Sequence, residues 1–368
     1  MTNLKRMMMG VVKGGGGGAG YSLWSWGSGA SGKLGDGTTV NKSSPVQIGA
    51  LTDWESLGIG TSHSAAVKTD GTLWSWGLGS SGQLGDGTTV SKSSPVQIGA
   101  LTTWASVSGS GNHTSAIKTD GTLWSWGHGG HGKLGDGTTV NKSSPIQIGA
   151  LTNWSTVSAS NNFCSAIKTD GTLWTWGRGF SGALGDGTAV SKSSPVQVGA
   201  LTTWVSSATG GLHVVALKTD GTVWSWGYAT SGQLGDGTTV SKSSPVQIGA
   251  LTTWASVSGA SYSSAAIKTD GTLWSWGSGA SGKLGDGTTA NKSSPIQIGA
   301  LTTWAAVEFG TSHSSAIKTD GTLWAWGYGG VGTLGDGTTV SKSSPVQIGA
   351  LTDWKKVSSK GGTLALKS

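Results

Sequence analysis

Glutamate is almost missing from this chain: Glu55 and Glu308 are the only two, and charged residues of all kinds make up 11% of it. No paired Glu side chains offer themselves for general acid and base work, and no Ser-His-Asp order, phosphate-cradling loop or metalloprotease motif stands out. We therefore expect no catalytic residues, no metal and no cofactor. Cysteine occurs once, as Cys164, which leaves no internal disulfide for the fold to depend on. Long hydrophobic runs are lacking as well, and nothing approaches the ~18 apolar residues of a spanning helix, so no membrane span is expected. The apolar run from Met7 to Val12, behind Lys5 and Arg6, is shorter than a secretion signal needs, and Lys13 and a glycine run follow it. Phenylalanine (3) and tyrosine (4) are scarce, whereas tryptophan reaches 21 and glycine 66. Low charge combined with so much indole surface argues for a packed core and against disorder.

The net charge of +7 invites a nucleic-acid reading, but its placement does not support one. Each repeat carries two lysines of the Lys42 and Lys68 type and two aspartates of the Asp36 and Asp70 type, which cancel. The excess lies at the ends and at scattered positions such as Lys33, Lys133, Lys283 and Arg178, without a basic stripe. Nucleic acid is not an expected partner.

What the chain does have is a repeat. From Tyr21 onward the sequence recurs every 50 residues, with Trp24, Trp26 and Trp54 returning through Trp324, Trp326 and Trp354, and Pro45 through Pro345. A period near ~50 with strand-like content indicates propeller blades or solenoid coils. Four strands are predicted per repeat: from Trp54 to about Gly58, Ser64 to Lys68, Leu73 to Trp76, and Pro95 to Ile98. In the third, alternation puts Trp74 and Trp76 on one face and Leu73 and Ser75 on the other. Proline is placed at the start of the fourth strand, where its missing N–H costs least. The turns Thr69-Asp70-Gly71-Thr72 and Leu84-Gly85-Asp86-Gly87 separate them.

A strand census decides between ring and open coil. The third and fourth types come first, at Leu23 and Pro45, and the first and second types come last, at Trp354 and from Thr363 to Lys367. Each type appears seven times, and the two half-blades at the ends complete one another. An open stack gains nothing from that permutation, whereas a ring gains a latch and hides both sheet edges. The expected fold is all-β: a seven-bladed β-propeller of four-stranded blades over residues 21–368, closed by joining N- and C-terminal strands. Residues 1–20 read as a glycine-rich tail that could anchor the chain to a larger protein assembly.

The run from Gly60 to Val67, then Asp70-Gly71, Trp74-Ser75-Trp76-Gly77 and the stretch from Gly82 to Gly87 resemble the regulator of chromosome condensation repeat, from about Tyr21 to Ser368. The resemblance implies a seven-bladed propeller. Near-identical, glycine-rich copies are more similar to bacterial and phage-encoded members than to the eukaryotic nuclear protein that acts on the Ran GTPase.

Two segments of the repeat vary, one after the first strand and one after the third. In an up-down meander these lie on the same face of the disc, so variation is expected on one rim. All six histidines fall there, with Cys164, Phe309 and Arg178. The predicted contact residues are His128, His131, Phe163, Arg178, Phe180, Tyr228, Tyr262, Tyr328 and Leu78, because function concentrates on loops held by a rigid scaffold and aromatic and Arg side chains are favoured contacts. His63, His113, His213 and His313 share one repeat position and are read as structural. Asp36-Gly37-Thr38 lacks the ligand alternation of a calcium loop and is read as a turn.

These features point to a non-enzymatic display protein on a virion or extracellular surface, offering its rim to a glycan or surface protein. The alternatives are an intracellular, cytoplasmic scaffold or guanine-nucleotide-exchange-like factor, and a self-assembling lattice or filament subunit.

Overall fold

The structure is a computed structural model that describes residues 20–368, so the expected tail of residues 1–20 lies outside it except for Gly20. In the first complete repeat four antiparallel strands, Trp54–Ile59, His63–Lys68, Leu73–Gly77 and Lys92–Gln97, are hydrogen-bonded in that order. We call this blade 1, and blades 2 to 6 begin at Trp104, Trp154, Trp204, Trp254 and Trp304 with the same order. The seventh blade is composite. Trp354–Ser359 and Gly362–Lys367 continue into Ser22–Gly27 and Lys42–Gln47, with Leu23 opposite Leu366 and Trp24 opposite Ala365. The expected ring and its latch are both present.

The blades hold together through the period-two alternation of their third strands. Trp74 and Trp76 share a face and meet Trp54 edge-on, with ring centroids 6.1 and 6.3 Å away. Such pairs contribute about 1 kcal/mol beyond the area they bury. The opposite face is small and aliphatic. The core therefore lies between blades: Ala65, Val67, Leu73 and Ile98 of blade 1 pack on Trp104, Val107, Ala116 and Trp126 of blade 2. The Trp26-type indole is fully buried in all seven blades. At about 25 cal/mol per Å² over the roughly 200 Å² of an indole, each such burial contributes about 5 kcal/mol before entropy is counted.

Hydrogen bonds stitch the same seams. The carbonyl of Lys33, in the loop after the third strand of the composite blade, accepts from Trp76 Nε1 (2.9 Å) and from Ser64 Oγ (2.8 Å) in blade 1. Gly35 lies against that indole with φ of +84°, and a Cβ there would stand 2.6 Å from Nε1. Only glycine satisfies both the dihedral and the approach.

One boundary differs from expectation. The fourth strand begins at Lys92 and not at Pro95, which sits inside it. Ser75 pairs with Val96 and Gly77 with Lys92, so the strand bulges between them. It is also the outer edge of the blade, and a bulged edge strand tolerates a residue without an N–H.

The turns after the second strands are nearly uniform. Asp70 Oδ1 accepts from the Thr72 amide (2.9 Å) and hydroxyl (2.7 Å), while Gly71 takes φ of +78°. Nearby, the Lys68 ammonium sits 5.0 Å from the Trp54 ring and 4.5 Å from the Trp74 ring. Asp36 repeats the Asp–Thr turn and pairs with Lys42 at 3.2 Å, which accounts for its carboxylate without a calcium ion.

Candidate functional site

The loops after the first and third strands do share a face, because Ile59 and Ser64 pair at one end of the first hairpin and His63 and Gly77 at the same end of the second. The backbone there is fixed in a repeating way. The residue after the third strand donates its N–H to the preceding loop: Leu78 to Ser62 O, His128 to Asn112 O, Arg178 to Asn162 O, Tyr228 to Leu212 O and Tyr328 to Ser312 O, all within 2.8–3.0 Å. The main chain at this position is pinned and its side chain is left free. That is why Ser, Leu, His, Arg and Tyr all occupy it in different blades.

Three consecutive blades convert this freedom into one surface. The Arg178 guanidinium stacks on Phe180 at 5.1 Å, Phe180 meets Tyr228 at 6.3 Å, and Tyr228 meets Tyr262 edge-on at 6.4 Å. Phe180 is 46% exposed and Tyr262 45%, with Arg178 and Tyr228 half-buried, so the stripe lies at the surface and not in a core. Arg178 has no ion-pair partner among the described residues. An aromatic run of mutually tilted rings ending in an unpaired guanidinium presents apolar faces and edges, two phenol hydroxyls and a fork of N–H donors.

The other expected contacts are separate from it. His128 and His131 lie on the neighbouring loop of blade 2, where His131 is exposed in a left-handed conformation (φ 61°). Burial, then Lys133 and His131, hold the His128 ring below the usual histidine range. Leu78 and Tyr328 stand on blades 1 and 6, and Tyr328 lies back over Gly330. Among the described residues no three His, Cys, Asp or Glu side chains cluster as a metal site would require, and no helix is long and apolar enough to cross a membrane.

Phe163 must be withdrawn from the contact set. It is wholly buried, as are Phe309 and Cys164, and so none of them belongs to the exposed rim. Phe163 occupies the repeat position of His63, and that position points into the seam between blades. His63 Nε2 meets Thr114 Oγ1 (2.8 Å), His113 Nε2 meets Cys164 Sγ (3.1 Å), His213 Nε2 meets Ser264 Oγ (2.9 Å) and His313 Nε2 meets Thr363 Oγ1 (2.9 Å). Where the ring is Phe163, the facing residue is Val214, and the two pack in one apolar cluster. The structural reading of the four histidines therefore agrees with their contacts. Burial lowers His63 and His313 to about 4 and His213 to about 3, and pushes the Cys164 thiol up to about 12. A thiol held protonated in this way is not a nucleophile.

Sequence reading also missed the inside of the ring. Glu308 and Lys360, which fall in the variable segments, line the central bore and not the rim. The signal was available: at each of these two repeat positions the other six copies carry only Gly, Ala or Ser.

Seven four-stranded blades latched by the chain's own ends define a repeat propeller whose sequence varies on one face. The chain belongs to the RCC1-like domain family, whose model matches residues 22–365. No curated protein matches it. Among solved structures, human WBSCR16 superposes with a TM-score of 0.85 at 18% identity, covering 95% of this chain and 99% of its own. Prp20p from Saccharomyces cerevisiae, described for its binding to Gsp1p and histones, gives 0.84 at 20% identity, covering 99% and 93%. Yeast RCC1 (Prp20) bound by Kap60 gives 0.85 at 19% identity, covering 100% and 92%. At such identities the likeness speaks for the fold.

Proposed function

We propose that this propeller is a non-enzymatic interaction scaffold that captures a protein partner on the stripe Arg178–Phe180–Tyr228–Tyr262. The observation that carries the reading is the continuity of that stripe across blades 3, 4 and 5, on the one face where the copies diverge. Buried aromatic and Arg anchors supply most of the binding energy in protein interfaces. The likeness to Prp20p, whose described partners are proteins, supports a scaffold in preference to the virion or cell-surface component with a glycan or surface-protein target expected from the repeats. That finer setting, with a bacterial or phage-type origin, rests only on the near-identity of the copies. The exchange-factor form of the scaffold reading rests on the same likeness, and release of labelled guanine nucleotide from Gsp1p in the presence of the chain tests it.

The test of the stripe compares the chain with its Phe180→Ala/Tyr228→Ala/Tyr262→Ala variant in parallel glycan-array and cross-linking captures. Partners held through the stripe should be lost by the variant, while its thermal stability falls by no more than about 1–2 kcal/mol, because Phe180 and Tyr262 are exposed and Tyr228 is half-buried. Equal capture by both chains overturns the assignment. Capture of glycans in place of proteins returns the surface-display reading.

A further inference from the structure

The bore of the ring is a site of a different kind. The first strands of all seven blades enclose it, leaving a cavity of about 350 Å³. Its walls are mostly Gly, Ala, Ser and Thr with a few aliphatic side chains, and among the described residues the only two charged ones lining it are Glu308 in blade 6 and Lys360 in the composite blade.

Lys360 acts as a stopper. It follows the strand Trp354–Ser359, and its Nζ reaches over the bore to donate to Gly109 O in blade 2 (2.7 Å) and Ala159 O in blade 3 (2.6 Å). Both carbonyls terminate their strands at the variable face, so the ammonium crosses the mouth on that side. Among the described residues no comparable bridge spans the other mouth; Lys356 Nζ bonds only the adjacent blade, at Glu55 O (2.6 Å). The bore is thus a cup that opens on the invariant face.

We infer that this cup binds a neutral polyhydroxylated small molecule of about monosaccharide size. Its volume falls in the range of about 300–1,000 Å³ typical of small-molecule pockets. Hydroxyls of Ser56, Ser106, Thr156 and Ser206 line it, and each can donate and accept. Leu57 and Val257 add apolar wall between them, which suits the C–H faces of such a molecule. Among the described residues the Glu308 carboxyl, which lines the cup, has no hydrogen-bonding neighbour, and Lys360 is the charged group that acts on it. Burial raises that carboxyl to about 7, so at neutral pH it offers a donor as well as an acceptor. Lys360 and Glu308 act on each other inside the bore, so a charged ligand of either sign competes with a charge already partnered, whereas a neutral polyol disturbs neither. This site is independent of the rim stripe.

Saturation-transfer NMR on the full chain, with myo-inositol, glucose and glycerol as separate probes, tests the inference. At least one should receive saturation from the wild-type chain. Ser206→Leu, which fills the cup, should weaken that binding about tenfold or more, equivalent to roughly one well-made polar contact with its desolvation. Glu308→Gln, which keeps a donor and an acceptor, should bind within about twofold of wild type. Phe180→Ala should leave the signal unchanged, which separates this site from the rim. Absence of saturation for all three polyols overturns the inference. So does unaltered binding by a folded Ser206→Leu chain, with folding judged by tryptophan fluorescence. Should that variant unfold, Ser106→Val carries the same test, with unaltered binding again decisive against the site.

Discussion

The two faces of the disc are made by the same seven blades, yet one is copied and the other is varied. On the copied face the turn side chains make contacts that recur from blade to blade. Asp70 closes its turn through two bonds to Thr72, and Lys68 is lodged between Trp54 and Trp74, so a change at either position breaks a contact that the fold requires. On the varied face the loops are held by backbone bonds, such as Tyr228 N to Leu212 O, and the side chains are released from structural duty. Divergence is therefore tolerated where the main chain does the holding. The exception is the inward-pointing column of His63, whose rings lie near the varied face but belong structurally to the seams.

Acid should separate the two faces, and this is the largest effect expected. His63, His213 and His313 stay neutral in the folded chain to about pH 4, 3 and 4 because burial disfavours the imidazolium, whereas in the unfolded chain they titrate near 6.5. Below pH 6.5 the unfolded state binds protons that the folded state refuses. Stability is thus complete above that pH and falls as the pH drops, by an upper limit of about 3 kcal/mol each for His63 and His313 towards pH 4 and about 5 kcal/mol for His213 towards pH 3. The turn carboxylates of Asp120, Asp170 and Asp270 are held below the usual range by bonds from their following threonines. Their contribution is lost only as the pH falls below the ordinary aspartate value. Thermal melts from about pH 7 to pH 3 should show two successive declines. The double variant His213→Phe/Ser264→Val, which reproduces the Phe163 and Val214 pair, should shrink the first decline without reducing stability at neutral pH. An undiminished first decline would mean that these rings are not its source.

A smaller loss is expected from a single seam. Trp76→Ala removes a fully buried indole from the contact between the composite blade and blade 1, and should cost about 4 kcal/mol, read as a lower urea midpoint. It also frees the Lys33 carbonyl from one of its two donors. Trp74 is partly exposed and its Nε1 bonds only locally to Thr72 Oγ1, so Trp74→Ala should cost clearly less. If the two variants melted alike, the packing between blades would not be what the alternation of the third strand secures.

The closed ring was legible because it depends on counting. Seven copies of each strand type, with complementary halves at the ends, leave no residue of the argument to geometry. Phe163 was misplaced because periodicity tells which copies are equivalent and not which way the position points. A comparison at an offset of 51 would have exposed it, since His63, His113 and His213 face Thr114, Cys164 and Ser264 while Phe163 faces Val214. Pro95 was set at a strand's beginning because a bulge has no sequence signature as firm as a turn's. The grouping of Phe180, Tyr228 and Tyr262 was out of reach for another reason. They lie on three different blades, and their spacing is fixed by the curvature of the ring.

The smallest effect has the opposite sign, and it bears on how freely the varied face can vary. Five of its loops contain a left-handed non-glycine residue at one repeat position: Ser31, His131, Ser181, Ser281 and Val331, with φ between 55° and 61°. Serine and histidine accept that region at modest cost, but a β-branched side chain crowds the following carbonyl. Val331 is 39% exposed, so it gains little from burial to offset the strain. Val331→Asn should therefore raise stability by about 1 kcal/mol, seen as a small upward shift in Tm. Ser281→Asn, starting from a residue already tolerant of this conformation, should gain less. A loss on Val331→Asn would show that the valine makes a contact worth more than its strain, and that this loop is selected for its side chain even where the backbone pays.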